Sequence, residues 1–227
     1  MNTSSASSQP VRGLRAAVSP LALAIGLIAA VLGSQVQAAS VYVSSEKDNK
    51  IVVFDAEGKQ TSTIDVCKRP RHLMFSPDKS QIYVCCGDSN QLGIVDRASG
   101  KLTDTVPLGD SPELFDISPD GKVVYVSIED DSVLAAYDLA TKKQLFSVKT
   151  GGEPEGVLLS RDGKLAYVTS EEANVVHVID LATRKIVKNI KTGNRPRRFA
   201  LSADGSELWV TNELSGSVSV VDTAKHT

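Results

Sequence analysis

Aromatic residues are scarce: five Phe, five Tyr and a single Trp make up 5% of the 227 residues. A core of any size must therefore be aliphatic, and the abundance of Val, Ser, Thr, Asp and Gly suits short strands joined by tight turns. Charge of one sign is lacking too. With 25 Lys and Arg against 27 Asp and Glu, the formal net charge is −2, which offers nucleic acid no electrostatic footprint. Only three cysteines occur, and an odd number excludes a fully paired disulfide framework. Cys85 and Cys86 are adjacent in a strand-like run, so their side chains point to opposite faces. The expectation is buried, reduced thiols serving as small apolar groups, with a redox-active 85–86 pair as the alternative. His72, His177 and His226 lack the spacing of metal ligands. No EF-hand loop, Gly-x-Ser-x-Gly elbow or phosphate-cradling glycine loop is present. No metal and no cofactor is expected.

Long apolar runs are absent but for one. Leu21 to Leu32 (LALAIGLIAAVL) follows Arg12 and Arg15, and Val36-Gln37-Ala38 offers the small-x-small pattern that signal peptidase reads. The run is too short for a comfortable membrane span. Residues 1–38 are expected as a cleaved secretory signal, an uncleaved anchor being the alternative. The mature chain, 39–227, is expected to be periplasmic or secreted and free of the membrane. No Arg-Arg pair precedes the run, which favours the general secretory route.

What is abundant is repetition. FSPDKSQIYVCC from Phe75, ISPDGKVVYVSI from Ile117, LSRDGKLAYVTS from Leu159 and LSADGSELWVTN from Leu201 recur every 42 residues. Pro70, Pro112, Pro154 and Pro196 keep that period, as do Asp96, Asp138, Asp180 and Asp222. One unit resolves into four short strands: a, Glu155–Ser160; b, Leu165–Ser170; c, Asn174–Asp180; d, Lys185–Thr192. Asp-Gly and Ser-Gly turns between β-branched runs make it an antiparallel meander. A four-stranded unit repeated at about 40–45 residues is the signature of a β-propeller blade, and the fold class is all-β. The blades are expected near 41–69, 70–111, 112–153, 154–195 and 196–227. The first copy has no strand a and the fifth no strand d, so 18 strands, or four and a half blades, are expected.

The phrases IYVCCGDSNQLGIVD, AYVTSEEANVVHVID and LWVTNELSGSVSVVD resemble the YVTN β-propeller family, from about Ala39 to Thr227. SPELFDISPDG, EPEGVLLSRDG and NRPRRFALSADG further resemble its YncE-like subgroup, associated with pyrroloquinoline-quinone (PQQ)-dependent catabolism. The resemblance implies an exported, nominally seven-bladed protein that accompanies periplasmic quinoprotein alcohol oxidation, with no general catalytic residue set. Measured against seven blades, the chain is expected to be C-terminally truncated, or to have its edges covered by partner chains. Quinone-binding propellers use tryptophan-rich docking repeats. Trp209 instead stands in the column of Tyr83, Tyr125 and Tyr167 and is expected as a core substitution, so no bound quinone is expected.

Turn parity divides the residues by face. The a–b and c–d turns share one face, where Asp78, Asp120, Asp162 and Asp204 are expected to organise turn backbone. The b–c and d–a turns share the other. Its b–c turns are acidic, with Glu46, Asp88, Glu129, Glu171 and Glu213 among them. Its d–a turns carry Arg69, Arg71 and His72, then Glu113, then Glu153 and Glu155, then Arg195, Arg197 and Arg198. Strand a is innermost in a blade, so these nine residues are expected to ring the central opening as a charged mouth. Arginine forks there suit an anionic ligand or a partner's loop. The alternative is inter-blade ion pairing, Arg71 with Glu113 and Glu155 with Arg197, which contributes little if exposed. His177 replaces Gly93, Ala135 and Ser219 of other copies and is a further candidate, or else a packed histidine.

The expected function is a non-catalytic periplasmic propeller that binds a partner or ligand in support of PQQ-dependent alcohol oxidation. A quinoprotein dehydrogenase or a cytochrome is the expected partner, and nucleic acid is not. The alternative is a lactonase-like hydrolase using the carboxylates and arginines of the mouth.

Overall fold

Alternating β-branched and polar residues, interrupted by Asp- and Ser-centred turns, form eighteen strands among residues 40–227, which the computed structural model describes. The export segment expected over residues 1–38 lies outside the described residues. The first sheet holds β1 (Val41–Ser45), β2 (Lys50–Phe54) and β3 (Gln60–Asp65). The second holds β4 (Pro70–Phe75), β5 (Gln81–Cys86), β6 (Gln91–Asp96) and β7 (Lys101–Pro107). The third holds β8 (Pro112–Ile117), β9 (Val123–Ile128), β10 (Val133–Asp138) and β11 (Gln144–Lys149). The fourth holds β12 (Pro154–Leu159), β13 (Leu165–Ser170), β14 (Val175–Asp180) and β15 (Lys185–Lys191). The fifth holds β16 (Pro196–Leu201), β17 (Glu207–Asn212) and β18 (Ser217–Asp222). Each sheet is an antiparallel meander in sequence order, as a propeller blade requires. Strand a of the fourth sheet starts one residue earlier than the sequence suggests, because Pro154 already pairs with Ser170. Among the described residues no helix is long and apolar enough to cross a membrane.

The core lies between blades. Tyr83, Leu92 and Ile94 of the second sheet pack on Phe115, Val124 and Val126 of the third. Tyr167, Val176 and Val178 of the fourth pack on Leu208, Val210 and Val221 of the fifth. Each blade thus shows one apolar face to the blade before it and another to the blade after it. Trp209 departs from the expectation of a core position: it is exposed, because no described residue covers that face of the fifth sheet.

The cysteines also depart from expectation. Cys67, just after β3, and Cys86, at the end of β5, form a disulfide with Cα atoms 5.7 Å apart. Cys85 is the free, buried thiol. Adjacent strand residues do face opposite ways, and that separates Cys85 from Cys86 and rules out the 85–86 pair. The d–a connection meanwhile carries Cys67 to the end of the neighbouring blade's strand b. Burial pushes the Cys85 thiol far above its ordinary range, with the Glu113 charge acting in the same direction.

The a–b turns repeat one hydrogen-bond motif. Ser76, Ser118, Ser160 and Ser202 donate to Asp78, Asp120, Asp162 and Asp204 at 2.6–2.7 Å. The same serine hydroxyls accept the N–H of Gln81, Val123, Leu165 and Glu207. These bonds hold the aspartates ionised well below their usual range, with Asp78 and Asp162 at about 2. A depressed acid stabilises the fold above its unfolded pKa, and the contribution disappears as pH falls through the folded value. Melting temperature should therefore fall between about pH 4 and pH 2, and a variant with Asn at all four positions should show a shallower slope across that window. Circular dichroism melts across the window measure both, and an unchanged slope would refute the assignment.

Candidate functional site

The d–a turns are shaped by a backbone device repeated in every blade junction. Arg69, Ser111, Glu153 and Arg195, each directly before a proline, sit in the left-handed region with φ of 49–56°. Their carbonyls accept the N–H of Gly87, Glu129, Glu171 and Glu213 at the start of the b–c turns. Asn49, Asn90 and Asn174 return the clasp, accepting the N–H of Arg69, Ser111 and Arg195. The d–a and b–c turns are thus clipped together, which brings the arginines of one to the glutamates of the other.

After each proline the pairing of strand a with strand b slips, between Pro70 and Leu73, Pro112 and Phe115, Pro154 and Val157, and Pro196 and Phe199. The two residues after each proline are thereby left out of the a–b ladder. Hydroxyls of strand b fill the gap: Ser127 bonds the N–H of Leu114, Thr169 that of Gly156, and Thr211 that of Arg198. Ser127 also donates to the carbonyl of Glu155 in the next blade, and Ser44 to that of Arg71. Cys85 stands at this same position in the second blade. Gly156 is needed here, because a Cβ would collide with the Arg197 carbonyl.

The charged residues form one continuous alternating ladder. Arg69 Nη2 donates to Glu113 Oε1 at 3.1 Å, and Arg71 Nη2 lies 2.5 Å from Glu113 Oε2. Arg71 Nη2 also donates to Glu155 Oε1 at 3.0 Å, as Arg197 Nη2 does at 2.8 Å. Arg197 Nη1 reaches Glu171 at 3.2 Å and Glu213 at 3.0 Å, and Arg195 Nε reaches the same two at 2.6 and 3.1 Å. Both pairs expected between blades are present. They are not the exposed, weak pairs of that expectation, since Glu113 and Glu155 are 0% and 4% exposed. Burial first, then the Glu155 charge, raises the Glu113 carboxyl, while Arg71 and Arg69 oppose this. Arg71 is itself held in its charged form by Glu113 and Glu155, against its own desolvation. These two tendencies conflict over Glu113. The close approach of two guanidiniums fits a carboxylate, so we take the pair as ionised.

The nine mouth residues therefore separate into three groups. Glu113, Glu155 and Arg197 lie in the ladder alone, while Arg69, Arg71 and Arg195 belong both to it and to a cavity wall. Arg69, Glu153 and Arg195 line grooves between blades at the rim. Arg71, His72 and Arg198 line a pocket of about 380 Å³ on the axis, walled by Leu114, Phe115, Val157, Leu158 and Phe199 of the inner strands. Arg198 differs from its neighbours. Among the described residues its guanidinium makes no hydrogen bond, and its nearest carboxylate oxygen, Glu155 Oε1, is 3.6 Å away. Burial lowers its pKa, and Arg71 and Arg197 add to this against Glu155. His72 stands edge-on to Phe115, and burial and the Arg198 charge lower its pKa to about 4, so it is neutral at neutral pH.

His177 is not brought to the site. It is buried in β14, its Nε2 accepts the Gly151 N–H at 2.9 Å, and its Nδ1 lies 2.7 Å from Asn189 Oδ1. That arrangement fixes the Nδ1–H tautomer and makes it a packing histidine. Asp116 is a pocket residue that repeat counting passes over. Its column otherwise holds Met74, Leu158 and Ala200, and one carboxylate in an apolar column was the available signal. It accepts the N–H groups of Ile117 and Leu159, the latter from the next blade. No group of three or more His, Cys, Asp or Glu among the described residues is placed to hold a metal ion.

Comparison with known proteins accords with this architecture. No curated protein matches the chain. Among solved structures, Kuenenia stuttgartiensis Hydrazine Synthase superposes with a TM-score of 0.70 at 24% identity, over 81% of this chain and 60% of that one. The chain thus spans less than two thirds of that structure's length, and the likeness is one of fold. A family model described as YNCE-like beta-propeller matches residues 3–128 and 109–202. With its 42-residue blades and inner-strand bulges, the chain belongs to the YNCE-like beta-propeller family.

Proposed function

We propose that this protein is a non-catalytic binding propeller whose axial pocket takes a small carboxylate with an apolar body, and that it serves as a periplasmic accessory to PQQ-dependent alcohol oxidation. The observation that carries the ligand class is Arg198, a half-buried cation without a hydrogen-bonded counter-ion, in a pocket where Arg71 adds a second positive charge and the inner strands supply apolar walls. A fork of this kind recognises a carboxylate bidentately, while Phe115, Phe199 and Leu158 accommodate the body. Export is supported by the N-terminal sequence and by the Cys67–Cys86 bond, which belongs to an oxidising compartment. The PQQ link is supported by the subgroup phrases. A hydrolytic reading has less behind it, because Glu113 and Glu155 are engaged by arginines.

Isothermal titration with acetate, benzoate and octanoate tests the pocket. Affinity should rise from acetate to the larger acids as apolar area is buried, and Arg198→Ala should weaken it about tenfold or more. Equal affinity for wild type and variant, or no heat with any of the three acids, would overturn the ligand assignment. Recovery of neither a quinoprotein dehydrogenase nor a cytochrome in a periplasmic pull-down would overturn the accessory role.

A further inference from the structure

The outer edges of the third and fourth blades differ from those of the first and second. β3, β7, β11 and β15 are the outermost strands of their sheets. Each carries a bulge at the same point of the repeat, and the bulged residue is Thr61, Thr103, Leu145 or Val187. Thr61 and Thr103 turn back and donate to the carbonyls of Val53 and Ile94. Leu145 and Val187 have no hydroxyl with which to do so, and they stand out from the edge at 47% and 54% exposed. Charge divides the blades in the same way. Residues 58–65 and 100–107 hold one cation and one acid each. Residues 142–149 hold three lysines and 184–191 three lysines and an arginine, with no acid in either stretch.

The two basic edges form one surface. Arg184 of the fourth blade lies over the Phe146 ring of the third at 4.6 Å, and Phe146 and Ile186 pack on the same core cluster. Lys142 is paired with Asp104, and Lys149 donates to the Asp131 carbonyl. Lys143, Lys185, Lys188 and Lys191 are exposed and form no ion pair among the described residues. We propose that this edge rests on a lipid surface bearing anionic phosphate headgroups, with Leu145 and Val187 entering the headgroup layer. Lysines are flexible point charges that suit a diffuse layer of phosphates, and apolar side chains among them add buried area. A strand of an acidic protein fits less well, because bulges and edge lysines are the devices that stop strand addition. The formal charge of −2 gives the chain no general attraction to such a surface, so the contact belongs to this edge. It is peripheral and needs no membrane span, and it replaces the expectation of a chain free of the membrane with reversible attachment. It does not depend on the axial pocket or its ligand.

Flotation of the full chain with phosphatidylcholine vesicles, with and without phosphatidylglycerol, measures the contact. Every form compared shares residues 1–38, so differences between forms read the edge. The wild type should bind the anionic vesicles more, and the excess should vanish as salt is raised. Lys185→Glu with Lys188→Glu should weaken binding to them about tenfold or more. Lys59→Glu with Lys101→Glu makes the same change of charge on the first two blades and should leave binding nearly unchanged. Leu145→Thr with Val187→Thr should weaken it while preserving its dependence on salt. The proposal fails if anionic vesicles are bound no better than neutral ones, or if the two charge reversals act alike. Binding of polyglutamate with no preference for anionic vesicles would overturn it in favour of an acidic protein.

Discussion

Glu155→Gln is expected to destabilise the fold by about 3–5 kcal/mol, the scale on which removing one partner of a buried ion pair leaves the other uncompensated. Glu155 Oε1 receives hydrogen bonds from Arg71 and Arg197, and Arg198 stands 3.6 Å away, so one substitution strands more than one cation. The amide keeps the volume and one acceptor oxygen, so the loss reads the removed charge and the one acceptor exchanged for a donor rather than a cavity. Arg198 is more than a third exposed, so hydration softens its share, and the effect rests on Arg71 and Arg197. For a chain of this size the midpoint of thermal unfolding should fall by about 6–20 °C. Asp162→Asn supplies the contrast for ion pairing. Its 3.1 Å contact with Lys164 is exposed on both sides, so its removal should lower the urea midpoint far less than Glu155→Gln does. Urea titration of the three proteins compares them directly, and a Glu155→Gln loss below about 1 kcal/mol would show the ladder to be hydrated and dispensable.

Loss of the Cys67–Cys86 bond should reduce stability by about 3 kcal/mol, the chain-entropy value for a loop of this length. The two cysteines are 19 residues apart, and the loop they close runs from the end of one blade across strands a and b of the next. A Cys67→Ser, Cys86→Ser double variant should melt about 6–12 °C below wild type, and reductant should lower the wild type toward the same value. Cys85→Ser is the internal control. It puts a hydroxyl where Ser44, Ser127, Thr169 and Thr211 already serve, and it should leave the response to reductant intact. A double variant as stable as wild type would mean that the packing of Ile51, Val53 and Ile64 against the second blade supplies the junction's strength without the bond.

The strands were legible because period-two burial and Asp-centred turns are local signals, and a 42-residue register multiplies each of them by the number of copies. Columns of aligned residues also named the partners Arg71–Glu113 and Glu155–Arg197. Their energetic weight was not legible, because burial of Glu113 and Glu155 follows from the post-proline slip in pairing, which no residue pattern announces. The disulfide was missed for a related reason. Cys67 stands in the column of Gly109, Gly151 and Gly193, and aligning copies shows that it departs from them without naming its neighbour across the junction. Trp209 shows the limit of column reasoning. Its position matches Tyr83 and Tyr167, but burial depends on what stacks next, and that is a property of the neighbouring blade. Asp116 and the strand-b hydroxyls act between blades as well, and single-copy reading treats them as ordinary strand residues.

The Cys67–Cys86 bond also gives an otherwise near-periodic stack a direction. Blades that touch mainly their neighbours open junction by junction. The first two blades are covalently tied, whereas the fifth is held to the fourth by side-chain packing, hydrogen bonds and ion pairs. Amide protons at the first junction should therefore exchange more slowly than those at the last of the four described. Arg71 lies beside the tied junction and Arg198 at the untied one, so the carboxylate pocket has one braced wall and one yielding wall.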